Sequence, residues 1–317
     1  MKPTVLSVAN LPPFLTERLR DAFDFHDRTH QQDAAAFRQL APSVRALVAS
    51  GEAKVSRELL SQLPAVKLVS VFGVGYDGVD LVAARERGVT ITNTPDVLTD
   101  DVADLAMGLL ISVAREILAA DSYLRGGHWA EGPFRLARKV SGARLGIVGL
   151  GRIGAAIARR AQAFDMRIAY TARTRKPGVA FEFYPDPASL AANVDFLVVA
   201  TPGGPATRGL VDARVLEALG PNGVLINVAR GSVVDEVALV AALRAGRIRA
   251  AGLDVFADEP NVPAELAAME RVVLTPHIAS GTLQTRTAMA DLAFANLEAF
   301  FAGKPLLTPV SLTPVSN

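Results

Sequence analysis

The run Leu145-Gly-Ile-Val-Gly-Leu-Gly-Arg-Ile-Gly154 carries a short apolar segment into Gly149-x-Gly151-x-x-Gly154, and an alanine-rich helical pattern, Ala155 to Ala163, follows at once. Each glycine has its own job in such a turn. Gly149 lets the chain leave a strand sharply, Gly151 lets the backbone approach a pyrophosphate, and Gly154 lets a helix lie close on the sheet. The phosphate charge would then rest at a helix N-terminus, where unpaired amides and the positive end of the dipole favour an anion. Three glycines alone would also suit any tight strand-to-helix turn. A strand before and a helix after are the context that dinucleotide binding requires, and both are present.

Downstream, Arg167-Ile-Ala-Tyr170 reads as the next strand, and it ends in Thr171-Ala-Arg-Thr-Arg-Lys176. An NAD site places a carboxylate about 20 residues beyond the glycines to bond the ribose 2′-hydroxyl. Here that offset holds Arg173, Thr174, Arg175 and Lys176 and no acid. Arginine binds a phosphate through two parallel hydrogen bonds and threonine adds a hydroxyl donor, whereas a carboxylate would repel it. NADP is therefore the expected cofactor, with NADPH preferred over NADH. Further on, Val194–Ala200, Gly223–Val228, Ile248–Val255 and Val272–Thr275 are short apolar runs of the kind buried on both faces of a parallel sheet. Helical patterns at Asp212–Leu219 and Val237–Ala245 lie between them.

Upstream the same alternation holds. Val5–Val8, Val44–Val48, Leu68–Val71 and Thr90–Thr92 read as strands, with helices at Pro13–Phe23 and Ser56–Leu63, the latter capped by Ser56. The expected class is α/β, with two doubly wound parallel-sheet domains. Phe72-Gly-Val-Gly-Tyr-Asp-Gly78 follows a strand directly, so Val74 and Gly75 offer amides to an anion; a turn that simply needs positive φ is the alternative. Asp96–Ala120 predicts one long helix, with a hinge at Pro95–Asp100. Tyr123–Ser141, which holds the single tryptophan, Trp129, has little regular pattern and suits an arm packed on another subunit. Thr285–Phe301 predicts a final helix that returns to the first domain, and the proline-bearing tail 305–317 a surface segment. The domains are expected at 1–97 plus 285–317, and at 98–284.

Composition narrows the function. With 317 residues, two cores are the default. A net charge of +1 without a basic stripe argues against nucleic acid or a membrane surface as partner. Zero cysteines exclude disulfides and thiolate chemistry, and no metal is called for. The apolar stretch Val102–Ala120 carries Asp104, Arg115 and Glu116, so it reads as a packed helix and not a membrane span. The beginning of the chain does not read as a signal peptide, so a cytoplasmic protein is expected.

Arg230, Glu259 and His277 each follow one of the later strands, where ligands of open α/β sheets bind. Reduction of a 2-keto acid needs such a set: a guanidinium for the carboxylate and ketone, a proton donor, and a carboxylate that keeps the donor charged. Each alone has an ordinary structural use. With four histidines in the chain, His277, beside a proline and behind an apolar strand, is the leading acid–base candidate.

Together these motifs resemble the D-isomer-specific 2-hydroxyacid dehydrogenase family, and within it the NADP-dependent glyoxylate/hydroxypyruvate reductases. The likeness runs from Val69 to about Met289. It rests on Val74-Gly-Tyr-Asp77, the glycine loop, Thr201-Pro202 with Thr207-Arg-Gly209, Val228-Ala-Arg-Gly231, Asp254-Val-Phe-x-x-Glu-Pro260 and Pro276-His-Ile-Ala-Ser280. The first 65 or so residues match mainly in pattern. The resemblance implies a flavodoxin-like substrate domain and a Rossmann cofactor domain. It implies His277 as proton donor, Glu259 as its partner, and Arg230 with the Val74 and Gly75 amides on the substrate carboxylate. Arg152 and Ile153 would lie along the pyrophosphate, Thr201 and Thr207 near ribose and phosphates, and Asp254 at the nicotinamide carboxamide. Val228, Ala229 and Ser280 would border the cofactor as well. It also implies a homodimer, with Trp129 reaching the partner's site to bound the substrate. Other 2-keto-acid specificities (D-lactate, phosphoglycerate, hydroxyphenylpyruvate) and a non-enzymatic, corepressor-like dinucleotide sensor are the alternatives.

Overall fold

The computed structural model describes residues 2–311. In chain order its elements are β1 (Thr4–Ser7), α1 (Pro13–Ala22), β2 (Asp24–Asp27), α2 (Thr29–Gln32), α3 (Ala34–Leu40), β3 (Val44–Ser50), α4 (Arg57–Gln62), β4 (Leu68–Phe72), α5 (Leu81–Glu86), β5 (Thr90–Thr92), α6 (Thr99–Ala114) and α7 (Ile117–Arg125). There follow β6 (Arg144–Val148), α8 (Arg152–Gln162), β7 (Arg167–Thr171), β8 (Glu182–Tyr184), α9 (Pro187–Ala191), β9 (Phe196–Val199), α10 (Ala213–Leu219), β10 (Val224–Asn227), α11 (Glu236–Arg244), β11 (Ala250–Leu253), α12 (Ala264–Ala267), β12 (Val272–Leu274) and α13 (Leu283–Phe301). They form two compact units. One runs to Leu98 and resumes at Leu283; the other is Thr99–Thr282.

The first unit is a five-stranded sheet in the order β2-β1-β3-β4-β5, parallel throughout. That is the flavodoxin-like winding, with the reversal between β1 and β3. Its core joins Leu6, Leu47, Val69 and Ile91 from the strands to Leu60 and Ala83 from the covering helices. The Ser56 hydroxyl caps α4 by accepting from the Leu59 amide. Helix α13 packs on β4, where the buried Ser70 hydroxyl donates to the Ala293 carbonyl.

The second unit is a seven-stranded parallel sheet in the order β12-β11-β10-β9-β6-β7-β8. Its direction of winding reverses between β6 and β9, which makes this a Rossmann sheet with an added seventh strand. Asn227 lies opposite Leu253, and Leu253 opposite Leu274. The ends of β10, β11 and β12 are thus level, and the loops that follow them leave from one edge. Both fold classes agree with the sequence reading.

Two details differ from it. The segment 96–120 is two helices, α6 and α7. Glu116 takes a left-handed backbone between them, with φ of 52°. Its carboxylate is held by Arg135 and, at 3.3 Å, by Arg249, while the Arg138 amide takes the Ala114 carbonyl at the end of α6. Fixing that ion pair interrupts a pattern that is otherwise helical. Strand β2 was not expected, because Asp24-Phe-His-Asp27 is polar; it survives as an edge strand, half exposed. The tail over 305–311 lies on the surface as expected and is hydrogen-bonded there. Asn296, fully buried on α13, accepts from the Leu307 and Thr308 amides, and Val310 donates to the Ile91 carbonyl. Residues 312–317 lie outside the described residues.

Candidate active site

The glycine loop sits at the reversal point of the second sheet. Gly149 has φ of 98°, and a Cβ there would meet Thr201 backbone atoms at 2.9 Å. Gly154 has no room for a side chain, since its Cβ would lie 2.2 Å from the Gly149 carbonyl oxygen. At Gly151 a Cβ would meet nothing within 4 Å. The first and third glycines are therefore required by the turn, and the second faces open space. Helix α8 starts at Arg152 with no side-chain cap, unlike α4, α9, α10 and α11, so an anion there competes with no capping side chain. The loop fits a pyrophosphate. Thr201 stands across from it after β9, and the Thr207 hydroxyl donates to the Pro202 carbonyl at 2.7 Å, which shapes the same loop.

Past β7, Arg173, Thr174, Arg175 and Lys176 are exposed, and their side chains make no hydrogen bond or ion pair among the described residues. The Thr171 carbonyl accepts from the Gly149 amide at 2.9 Å, so this turn and the glycine loop are joined at their roots.

The catalytic candidates come from the level ends of β10, β11 and β12. His277 Nδ1 lies 2.7 Å from Glu259 Oε2, and the other Glu259 oxygen accepts from the Phe256 amide at 2.9 Å. Both carboxylate oxygens are thereby fixed. Burial pushes the Glu259 carboxyl up, but the hydrogen bonds from His277 and Phe256 and the charges of His277 and Arg230 outweigh it, and the group is held below the usual range. With Nδ1 committed to the carboxylate, Nε2 is the nitrogen that can present a proton to a substrate.

His277 itself has φ of 52°, a left-handed backbone that costs a non-glycine residue about 1 kcal/mol or more. Asp254 is what imposes it. Fully buried at the end of β11, Asp254 accepts from the Thr275 hydroxyl at 2.7 Å and from the Ile278 and Ala279 amides at 2.8 and 2.9 Å, while its carbonyl takes the His277 amide. Burial raises the Asp254 carboxyl above its ordinary value despite those donors. Asp254, assigned above to the nicotinamide carboxamide, is thus engaged by the loop that carries His277. Ser280, half-buried, ends that loop.

Arg230 is shaped by a residue that the sequence reading passed over. Asn227 is 1% exposed; its amide donates to the Arg230 carbonyl at 3.0 Å and its oxygen accepts from the Ala229 amide at 3.1 Å. Val228 and Ala229 are consequently buried in a fixed loop. Gly231 is equally constrained, because a Cβ there would lie 1.9 Å from the Phe256 carbonyl group. The Arg230 and Glu259 loops therefore lean directly on each other. The legible signal was a lone asparagine closing an apolar strand.

In the first unit, Val74 and Gly75 follow β4. Asn93 holds the Val74 carbonyl at 2.8 Å, and neither the Val74 nor the Gly75 amide has an acceptor among the described residues. Trp129 is 69% exposed in a short helical turn after α7.

Comparison with known proteins shows the family. Residues 107–279 match the model of the D-isomer specific 2-hydroxyacid dehydrogenase NAD binding domain. The chain is 50% identical to a hydroxyphenylpyruvate reductase of Plectranthus scutellarioides over 96% of its own length and 98% of that protein. It is 53% identical to glyoxylate/hydroxypyruvate reductase A of Arabidopsis thaliana, over 84% and 86% of the two. A solved NADPH-dependent glyoxylate/hydroxypyruvate reductase from Sinorhizobium meliloti, in complex with NADP and malonate, superposes with a TM-score of 0.92 at 46% identity, covering 99% of this chain and 98% of that one. The chain is an oxidoreductase belonging to the D-isomer-specific 2-hydroxyacid dehydrogenase family.

Proposed function

We propose that this enzyme reduces small 2-keto acids, glyoxylate and hydroxypyruvate, to 2-hydroxy acids of D configuration where a stereocentre forms, with NADPH as reductant. The observation that carries the reading is the His277–Glu259 pair at 2.7 Å, set beside the Arg230 loop at one sheet edge. A corepressor-like sensor needs no such proton donor. The unit Thr99–Thr282 is the proposed cofactor domain, and the unit around β1–β5 the proposed substrate domain.

A bound reduced nicotinamide supplies the hydride. His277, protonated, gives its Nε2 proton to the keto oxygen; in the reverse direction neutral His277 takes the proton back. Glu259 keeps the ring charged and oriented. Arg230 binds the substrate carboxylate and polarises the carbonyl, with the Val74 and Gly75 amides as further carboxylate donors. Gly149, Gly151, Arg152, Ile153 and Gly154 take the pyrophosphate. Thr201, Thr207, Val228, Ala229 and Ser280 border the rest of the cofactor.

The assay is the fall in absorbance at 340 nm when the protein, NADPH and each member of a 2-keto-acid panel are mixed. Turnover of glyoxylate and hydroxypyruvate is expected; no turnover of any 2-keto acid would end the reading. A second specificity, for a larger aromatic 2-keto acid, is favoured by the 50% identical hydroxyphenylpyruvate reductase, and the same panel ranks the two.

Cofactor preference rests on the exposed turn Arg173–Lys176, which holds three cations and no carboxylate. Arg173→Ala is expected to weaken NADPH by about tenfold or more, the worth of a partly solvated charged hydrogen bond, and to leave NADH unchanged. Equal kcat/KM for the two cofactors in the unaltered enzyme would contradict the preference.

The pH dependence follows from Glu259. Its carboxylate stabilises the charged ring, so reduction persists to higher pH than an isolated histidine would allow. In Glu259→Gln the negative charge is gone, and the alkaline limb of kcat/KM for reduction should move to lower pH. A profile that keeps its alkaline limb would show that Glu259 does not serve His277.

A homodimer is proposed on the apolar surface of the segment after α6. Ile117, Leu118, Leu124, Trp129 and Leu136 are all exposed there, which is unusual clustering for a surface in contact only with water. Light scattering should report twice the chain mass of 33.4 kDa. A monomer would also remove the proposed role of Trp129 at the partner's substrate site.

A further inference from the structure

We infer that the Tyr170 hydroxyl is a specificity-determining group for the cofactor: it holds the turn Arg173–Lys176 in the conformation that receives a 2′-phosphate. The inference rests on the reading of that turn as the 2′-phosphate site. Tyr170 lies in β7, paired with Phe183 of β8, and is fully buried with the two rings 5.4 Å apart. Phenylalanine would supply that packing. The hydroxyl does something else: it accepts the backbone amide of Lys176 at 2.8 Å, six residues ahead and on the far side of the turn.

The other end of the turn is fixed by the bond from the Gly149 amide to the Thr171 carbonyl at 2.9 Å. The two ends are thus tied to the glycine loop and to Tyr170. Between them, Arg173, Thr174 and Arg175 have no side-chain hydrogen bond or ion pair among the described residues to set their direction. Their aim is decided by the backbone that carries them. Pro177 restricts Lys176 to extended conformations, so anchoring the Lys176 amide also fixes where the chain leaves the turn. Pre-ordering the turn removes an entropy cost that the phosphate contacts would otherwise bear on binding. NADH carries no phosphate there and gains nothing from the order.

The test is calorimetric titration of 2′,5′-ADP and of 5′-AMP, with NADPH and NADH titrated by fluorescence, into the unaltered protein, Tyr170→Phe and Arg173→Ala. Loss of one net hydrogen bond predicts about 2- to 12-fold weaker 2′,5′-ADP and NADPH in Tyr170→Phe, with 5′-AMP and NADH unchanged. Equal loss for phosphorylated and unphosphorylated ligands would make Tyr170 a packing residue only and overturn the inference. So would unchanged 2′,5′-ADP binding in Tyr170→Phe while Arg173→Ala weakens it, a result that leaves the cofactor reading intact. If Arg173→Ala also binds 2′,5′-ADP normally, the cofactor reading itself fails and takes the inference with it. Should Tyr170→Phe not fold, amide exchange in the unaltered protein decides: the Lys176 amide must be protected relative to those of Arg173 and Thr174, and exchange at the open-chain rate refutes the anchoring.

Discussion

His277→Ala should lower kcat for 2-keto-acid reduction by about 100- to 10,000-fold, the usual worth of a positioned general acid, with NADPH binding close to that of the unaltered enzyme. The geometry singles out this residue because its Nδ1 and its backbone are both held in place. Glu259 takes Nδ1, the Asp254 carboxylate takes the amides of the two residues that follow, Ile278 and Ala279, and the Asp254 carbonyl takes the His277 amide itself. Nε2 is the ring nitrogen that Glu259 does not take. The left-handed backbone at His277 complicates an alanine variant, since alanine bears the same strain without the ring contact to Glu259. His277→Asn is the sharper control, because asparagine tolerates that conformation better than other side chains and keeps a polar group while losing the proton donor. Both variants should lose kcat to a similar extent. If His277→Asn kept kcat within about tenfold, a span below the general-acid range, the proton would have to come from elsewhere.

How far the chain could be read before its fold was seen depended on whether a residue's job was local. The glycine loop was legible because strand, turn and helix are contiguous and each glycine answers a steric need of its own segment; Gly149 and Gly154 meet backbone at 2.9 and 2.2 Å. Arg230, Glu259 and His277 were legible as residues just past apolar strands, since the parallel sheet forces such positions to one edge. Their mutual support was not. Thr275 and Glu259 meet their partners, Asp254 and His277, 21 and 18 residues away across loops that come together only after β11 and β12 have aligned, and nothing in their own neighbourhoods announces a partner. The same holds for the break at Glu116. Local propensity runs on through it, while the arginines that hold its carboxylate are 19 and 133 residues away. Tyr170 was read as a strand residue, which it is; that its hydroxyl also closes the basic turn becomes visible only when that turn folds back.

Replacing Arg230 should cost both binding and rate, and in this it differs from His277. A guanidinium that clamps the substrate carboxylate contributes to the ground-state complex, and the same group polarising the carbonyl contributes more as charge develops on oxygen. Two charge-assisted hydrogen bonds are together worth about 3 to 6 kcal/mol, so Arg230→Gln should reduce kcat/KM by roughly 100- to 10,000-fold, divided between a raised KM and a lowered kcat. Arg230→Lys keeps the charge but loses the planar fork, and should recover only part of the loss. The loop itself should survive both changes, because Asn227 holds the Arg230 carbonyl and the Ala229 amide through main-chain groups that the substitution does not touch. One consequence is specific to this site. The charge of Arg230 is among those that hold Glu259 ionised, so its removal should also raise the acid limb of the rate profile, which Arg230→Lys should restore. The decisive measurement compares a 2-keto acid with the matching ketone that lacks a carboxylate. The unaltered enzyme should prefer the acid strongly, and Arg230→Gln should lose most of that preference. Retained preference with an unchanged KM would place the carboxylate on other donors and leave Arg230 outside the substrate site.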